Sequence, residues 1–184
     1  MKSIFLPLLA LFAAVPTSLC AIEDTNDADF QNQVLTTHNK IRKEHGVDPL
    51  QWDDELAKHA QRWANTCVWH HSNDTRPYGD SCGENISYGQ ASISVAIKEW
   101  HDLEVNDYNF ERGKSKNGNE IRHFTQVVWR RTERVGCALH YCDKDPESNM
   151  DMNGNFYVCN YYPQGNIRTE EAYTHNVYKG SYEQ

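Results

Sequence analysis

The chain has 184 residues, 39% hydrophobic and 24% charged, with 26 acidic against 18 basic side chains and a formal net charge of −8. An acidic chain repels phosphate backbones, so nucleic-acid binding is disfavoured. The length fits one domain with a substantial core. At the start, Lys2 precedes an apolar run from Ile4 to Val15, and the small residues Ser18 and Cys20 are spaced like a signal-peptidase site. That run is too short to cross a bilayer, which takes about 20 apolar residues. Residues 1–20 are therefore predicted to be a secretory signal peptide, and the protein to be extracellular. Their removal takes away Lys2 and no acid, moving the charge from −8 to −9. No later stretch is apolar enough to span a membrane.

After an acidic leader, residues 21–29, Phe30, Val34, His38 and Ile41 recur at helical spacing, with Asp27 or Asp29 as the cap. Gly46 and Pro49 end that first helix. Trp52 packs in, and Asp53 caps a second helix carrying Leu56, Ala60, Trp63, Ala64 and Cys67. His70 to Gln90 reads as loop, rich in Asn, Asp, Pro, Gly and Ser. A third helix is predicted from Ser92 to Val105, with Ile93, Ala96, Ile97, Trp100 and Leu103 on one face and Glu104 beside them. Asn106 to Arg122 is a polar loop, and His123 to Arg131 a short helix. The basic cluster Arg130 to Arg134 reads as a solvated helix end. Two strands close the chain, Val135–Cys142 and Asn155–Tyr161, flanking a polar loop. Helices first and strands late indicate an α+β fold without βαβ alternation.

Five cysteines remain once Cys20 leaves with the signal: Cys67, Cys82, Cys137, Cys142 and Cys159. Secretion favours disulfides. An odd number leaves one as a thiol or as a bridge to another molecule, so monomer and covalent dimer are both open. Sequence alone does not fix the connectivity.

Four motifs stand out: His38-Asn39-Lys40-Ile41-Arg42, Gly83-Glu84-Asn85-Ile86, the run Arg122-His-Phe-Thr-Gln-Val-Val-Trp-Arg-Arg-Thr132, and Phe156-Tyr-Val-Cys-Asn-Tyr-Tyr-Pro-Gln-Gly-Asn-Ile167. Together and in this order they resemble the CAP superfamily of cysteine-rich secretory, antigen 5 and pathogenesis-related proteins, which also includes venom allergen-like proteins. The resemblance implies a three-layer α-β-α sandwich, placed here over residues 30–168 and followed by a C-terminal extension, 169–184. It also implies disulfides Cys137–Cys159 and Cys67–Cys142, leaving Cys82 as the odd thiol.

The resemblance further implies a cavity tetrad of His71, Glu84, Glu104 and His123. Two imidazoles and two carboxylates can hold zinc or another divalent cation. Alternatively each glutamate can orient a histidine for proton transfer, or the four can form a polar network that locks loops to a helix. Ser72 beside His71 invites a hydrolase reading, and Cys82 near Glu84 a thiol one. No Gly-x-Ser-x-Gly elbow and no His-Glu-x-x-His motif occurs. Asn149 to Gly154 copies the first half of an EF-hand loop, but Asn160 stands where the bidentate glutamate belongs, so a hairpin loop is the better reading. Asn73-Asp-Thr75 and Asn85-Ile-Ser87 are glycosylation sequons; Asn73 lies in a polar loop, whereas Asn85 sits inside a motif expected to be packed.

For function, the resemblance implies binding of lipids. The sterol region would be the loop after the third helix, where Tyr108 and Phe110 are the aromatic contacts. Fatty acid would lie between the first helix and the short one after His123. The alternatives are a secreted effector or allergen recognised through its surface by a host or cell-surface protein, and a hydrolase built on the tetrad.

Overall fold

The computed structural model describes residues 28–72, 78 and 81–182. The predicted signal peptide, most of the acidic leader and the Asn73 sequon lie outside the described residues.

The first helix, α1 (Ala28–Glu44), buries the predicted stripe of Phe30, Val34, His38 and Ile41, together with Arg42. Gly46 ends it at φ +68, a conformation that a Cβ would strain. A two-residue strand, β1 (Gln51–Trp52), leads into α2 (Asp54–Ala64). The Asp53 carboxylate caps α2, accepting from Glu55 N and Leu56 N at 3.0 Å each. Next come β2 (Gly83–Tyr88), α3 (Ile93–Asp102), a single 3-10 turn, and a hairpin of β3 (Tyr108–Asn109) and β4 (Lys114–Ser115). The short α4 (Arg122–Val127) precedes the two long strands β5 (Arg134–Lys144) and β6 (Asp151–Tyr162), and α5 (Glu170–Asn176) follows them.

Four strands form the main sheet in the order β1-β5-β6-β2, parallel between β1 and β5 and antiparallel elsewhere. Period-two alternation divides the long strands between two cores. Val135, Cys137, Leu139, Tyr157, Cys159 and Tyr161 face α1, α3 and α4. Ala138, Cys142, Met152, Phe156 and Val158 face α2 through Ala60 and Ala64. The result is an α-β-α sandwich.

Two cross-links fix these layers. Cys137 and Cys159 are register partners on β5 and β6 and form one disulfide. Cys67–Cys142 joins the end of the α2 segment to β5. Cys82 is buried and belongs to neither bridge. The Arg42 guanidinium, buried within the sandwich, donates to four carbonyls, those of Asp48, Val127, Trp129 and Thr132, at 2.7–3.1 Å. It thereby ties α1 to the turn between α4 and β5. Burial is the main influence on this group and lowers its pKa to about 10, so it stays charged at neutral pH.

Several predicted boundaries move. Residues 83–88, predicted as loop, form the edge strand β2, and Gln51–Trp52 adds a strand at the other edge. Cys67 lies beyond α2, at φ +56. The third helix stops at Asp102 and not at Val105, leaving Leu103, predicted to face the core, 72% exposed. The short helix after Ile121 ends at Val127, well before Arg131. Arg134 is no solvated helix end: it opens β5, pairs with Asp53 at 2.8 Å and lies against both the Tyr78 and Tyr162 rings. Asp151 to Gly154, predicted as hairpin loop, belongs to β6 beside a register shift. The C-terminal segment is packed into the domain: Val177 is buried, and the Tyr178 carbonyl accepts from His45 Nδ1 at 2.6 Å.

Candidate functional site

The four residues of the predicted tetrad come from four segments and line one region of surface, but they form two separate pairs. In the first, Glu84 projects from β2. Its Oε1 accepts from His71 Nδ1 at 3.0 Å and from Ser72 N at 2.9 Å, and its Oε2 from the Ser72 hydroxyl at 2.7 Å and Asn160 Nδ2 at 3.2 Å. Asn160 sits opposite Glu84 in the β2–β6 register. Burial alone would raise the Glu84 pKa, but the hydrogen bonds from His71 and Ser72 outweigh it and hold the carboxyl below its ordinary range.

In the second pair, Glu104 lies in the turn after α3. Its Oε1 accepts from His123 Nδ1 at 2.5 Å and its Oε2 from the Phe124 backbone N–H at 2.9 Å. No side chain from Ile121 caps α4, so Glu104 serves that helix start from outside while fixing the imidazole. The His123 ring lies nearly parallel to Trp100, 11° apart with centroids separated by 6.5 Å. Asn85 is buried, and its Nδ2 donates to the His123 carbonyl at 3.1 Å and to the Tyr161 hydroxyl at 3.4 Å. The Tyr161 hydroxyl in turn meets His38 Nε2 at 2.9 Å, so a hydrogen-bonded line joins α1 to the site.

Each carboxylate faces an Nδ1 that must carry the proton. In the neutral ring this leaves each Nε2 as a lone-pair donor, and neither has a hydrogen-bond partner among the described residues. Both imidazoles border two adjoining hollows. One, of about 550 Å³, runs past Trp69, Tyr88, Trp100 and Leu103. The other, of about 320 Å³, runs past Cys82, Asn85, Gln126 and Gly165. Glu120 borders both and pairs with Arg122 at 2.7 Å; the Arg122 hydrogen bond is the chief reason its pKa falls to about 2. A larger hollow, of about 640 Å³ beside Trp129 and α5, touches none of the tetrad.

The predicted four-donor metal set is not assembled as a cage. Among the described residues, no three His, Cys, Asp or Glu side chains converge to hold a metal ion. The reason is visible in the hydrogen bonds: both glutamates spend their oxygens on orienting histidines and backbone. Ser72, considered as a nucleophile, directs its hydroxyl proton to Glu84.

Tyr108 and Phe110, predicted to offer an aromatic surface, turn inward. Tyr108 is 0% exposed and packs edge-on against Phe110 and Phe124, and its hydroxyl finds no hydrogen-bond partner among the described residues. The walls predicted for fatty acid, Phe30 and Val34 on α1 with Phe124 and Val127 on α4, are buried in the same core. Sequence reasoning missed Asn160 and the Glu120–Arg122 pair. Asn160 carries no signal without the β2–β6 register, whereas the Glu120–Arg122 pair has one in its i, i+2 charge spacing.

A sequence profile described as CAP, the cysteine-rich secretory protein family, matches residues 35–161. Cysteine-rich secretory protein 2 of Cavia porcellus is 37% identical over 163 positions, covering 83% of this chain and 62% of that protein. Peptidase inhibitor 16 of Homo sapiens is 32% identical over 180 positions, covering 92% of this chain and 36% of that one. The chain thus spans less than two thirds of either relative. Among solved structures, venom allergen-like protein 4 of Schistosoma mansoni superposes with a TM-score of 0.61 at 25% identity, over 76% of this chain and 92% of its own. NaASP2, solved with Zn2+, shares the fold with a TM-score of 0.61 at 23% identity, over 77% of this chain and 83% of its own. With a profile match running from α1 to the end of β6, this chain belongs to the CAP family of cysteine-rich secretory proteins.

Proposed function

We propose that the chain is a secreted binding module, a CAP domain over residues 30–168 with its C-terminal extension, that holds a divalent cation between His71 and His123. The observation that carries the reading is the pair of Nε2 lone pairs, each oriented by a glutamate on the opposite ring nitrogen. Carboxylate-backed neutral imidazole is an ordinary zinc donor. With two protein donors and water completing the shell, binding is weaker than at a structural zinc site and reversible. Secretory relatives and two disulfides support an extracellular setting. Calorimetric titration of metal-stripped protein with zinc tests it. Binding is expected at neutral pH and is lost in His71→Ala/His123→Ala. Unchanged zinc affinity in that double variant overturns the reading.

Lipid binding is a second reading, favoured by the buried Tyr108 hydroxyl that lacks a partner among the described residues. It sits under the small β3–β4 hairpin, an element whose two strand pairs make it easier to open than the sandwich. Opening it uncovers Tyr108 and Phe110, faces able to cover a flat sterol; palmitate would take a separate place between α1 and α4. Labelled cholesterol should bind the parent and bind Tyr108→Ala/Phe110→Ala more weakly, with palmitate unaffected. Absence of both at micromolar concentrations moves recognition of a protein partner ahead, the direction in which the name peptidase inhibitor 16 points.

A further inference from the structure

The larger of the two hollows beside the histidines has a chemistry that neither a zinc ion nor a lipid uses. Its wall holds Trp69 and Tyr88 in an edge-to-face corner, with ring centroids 4.8 Å apart and planes at 75°. Trp100 and the exposed Leu103 continue the apolar side. Around this wall stand three carboxylates, Glu99, Glu104 and Glu120, and no lysine or arginine. Glu104 is engaged by His123 and Glu120 by Arg122.

Glu99 differs from the other two. Its one side-chain hydrogen bond among the described residues comes from Gln90 Nε2 to Oε2 at 2.9 Å, and Gln90 is fixed in turn by the Ser87 hydroxyl at 2.6 Å. No cationic side chain pairs with it among the described residues, and its Oε1 accepts nothing there. A carboxylate held by a neutral chain of hydrogen bonds, with no counter-charge and beside two aromatic walls, is complementary to a cation that also has an apolar body. The ring faces offer negative quadrupole to an ammonium, and the carboxylate supplies the full charge. An anionic headgroup meets the opposite: three carboxylates, with His70, His71 and His123 as the basic side chains of the lining and no lysine or arginine.

We propose that the hollow lined by Trp69, Tyr88, Trp100 and Glu99 binds a small organic ammonium, with the cation at Glu99 and its apolar body against the aromatic corner. The site borders the histidine pair but does not require a metal there. Calorimetry in the presence of a chelator, with 4-phenylbutylammonium, 4-phenylbutanol and 4-phenylbutyrate, tests the charge preference on the unaltered chain. The ammonium should bind about tenfold tighter than the alcohol, and the carboxylate more weakly than either. Glu99→Gln should bring the ammonium down to the level of the alcohol and leave the alcohol unchanged, while Trp69→Leu weakens both. Equal affinity for ammonium and alcohol, or no ammonium binding at millimolar concentration, overturns the proposal without recourse to any variant. A Glu99→Gln chain that keeps the preference overturns it too. Zinc titration separates this site from the metal reading: Glu99→Gln should bind zinc like the parent, and His71→Ala/His123→Ala should keep its preference for ammonium. Loss of zinc in Glu99→Gln makes the two sites one and also overturns the proposal.

Discussion

Asn160 faces Glu84 across β2 and β6 and holds the carboxylate from behind, its Nδ2 3.2 Å from Oε2 and its Oδ1 3.1 Å from His59 Nδ1. The carboxylate that orients His71 is thus anchored to α2 through the sheet. Glu84→Gln replaces an all-acceptor group by one that must present an N–H toward at least one donor among His71, Ser72 and Asn160. The expected loss is about 1–3 kcal/mol in urea unfolding, with zinc affinity falling about 10–100-fold. Since Glu84 is held below the ordinary carboxylate range, its contribution is present above that range and lost as pH falls through the folded-state value. The gap between parent and variant should therefore narrow in acid; a gap that widens contradicts the assignment.

Two buried histidines set a second pH dependence at milder acidity. His38 donates Nδ1–H to the Val34 carbonyl at 2.9 Å and accepts the Tyr161 hydroxyl at Nε2, which requires the neutral ring. Burial, the main cause, lowers the pKa of His38 and of His45 from 6.5 to about 4. The unfolded chain takes up these protons first, so stability falls as pH drops from 6.5 toward 4. The slope reaches at most about 1.4 kcal/mol per pH unit for each ring. Urea unfolding from about pH 7 to about pH 4.5 measures it, and a flat profile over that range would show that neither ring is buried neutral.

Arg42 is the tie whose removal should cost most. Arg42→Met leaves four carbonyls without their donor, an expected loss of about 3–5 kcal/mol. Arg42→Lys keeps the charge but not the planar fork, and should still lose about 2 kcal/mol. Chemical denaturation decides; a loss under about 1 kcal/mol for the methionine variant removes the guanidinium from its proposed place in stability.

Cys67–Cys142 spans 75 residues. Its replacement by two alanines should cost about 4 kcal/mol by the chain-entropy account. Alkylation in denaturant without reduction, followed by peptide mapping, should label Cys82 and spare Cys67, Cys137, Cys142 and Cys159. Label on Cys142 would refute the connectivity.

Wherever spacing alone sets an outcome, the chain could be read directly. The α1 stripe is buried as its 3.6-residue period requires, whereas the tetrad, implied by the family resemblance and not by spacing, is divided between two adjoining hollows. Which glutamate serves which histidine was not legible, because that depends on the β2–β6 register and on the turn after α3. Gly83-Glu84-Asn85 has little strand propensity; it is a strand because residues 156–161 pair with it from far along the chain. Tyr108 shows the converse case. An aromatic in a polar loop reads as a contact surface, yet a two-strand hairpin turns it into the core, a direction that composition does not encode.

Asn85 gives the fold a rule of timing. Its Nδ2, the atom to which a sugar would be attached, is the one that donates to the His123 carbonyl and the Tyr161 hydroxyl. A glycan would replace one of its two N–H groups at a side chain that is 1% exposed, so the native packing has no place for a sugar at this sequon. On a growing chain, Asn85 emerges long before β6, which begins at Asp151 and closes over it. In a chain that meets a glycosylating enzyme, that enzyme and the final strand would compete for one nitrogen, and a chain that lost the race would be locked out of its own site.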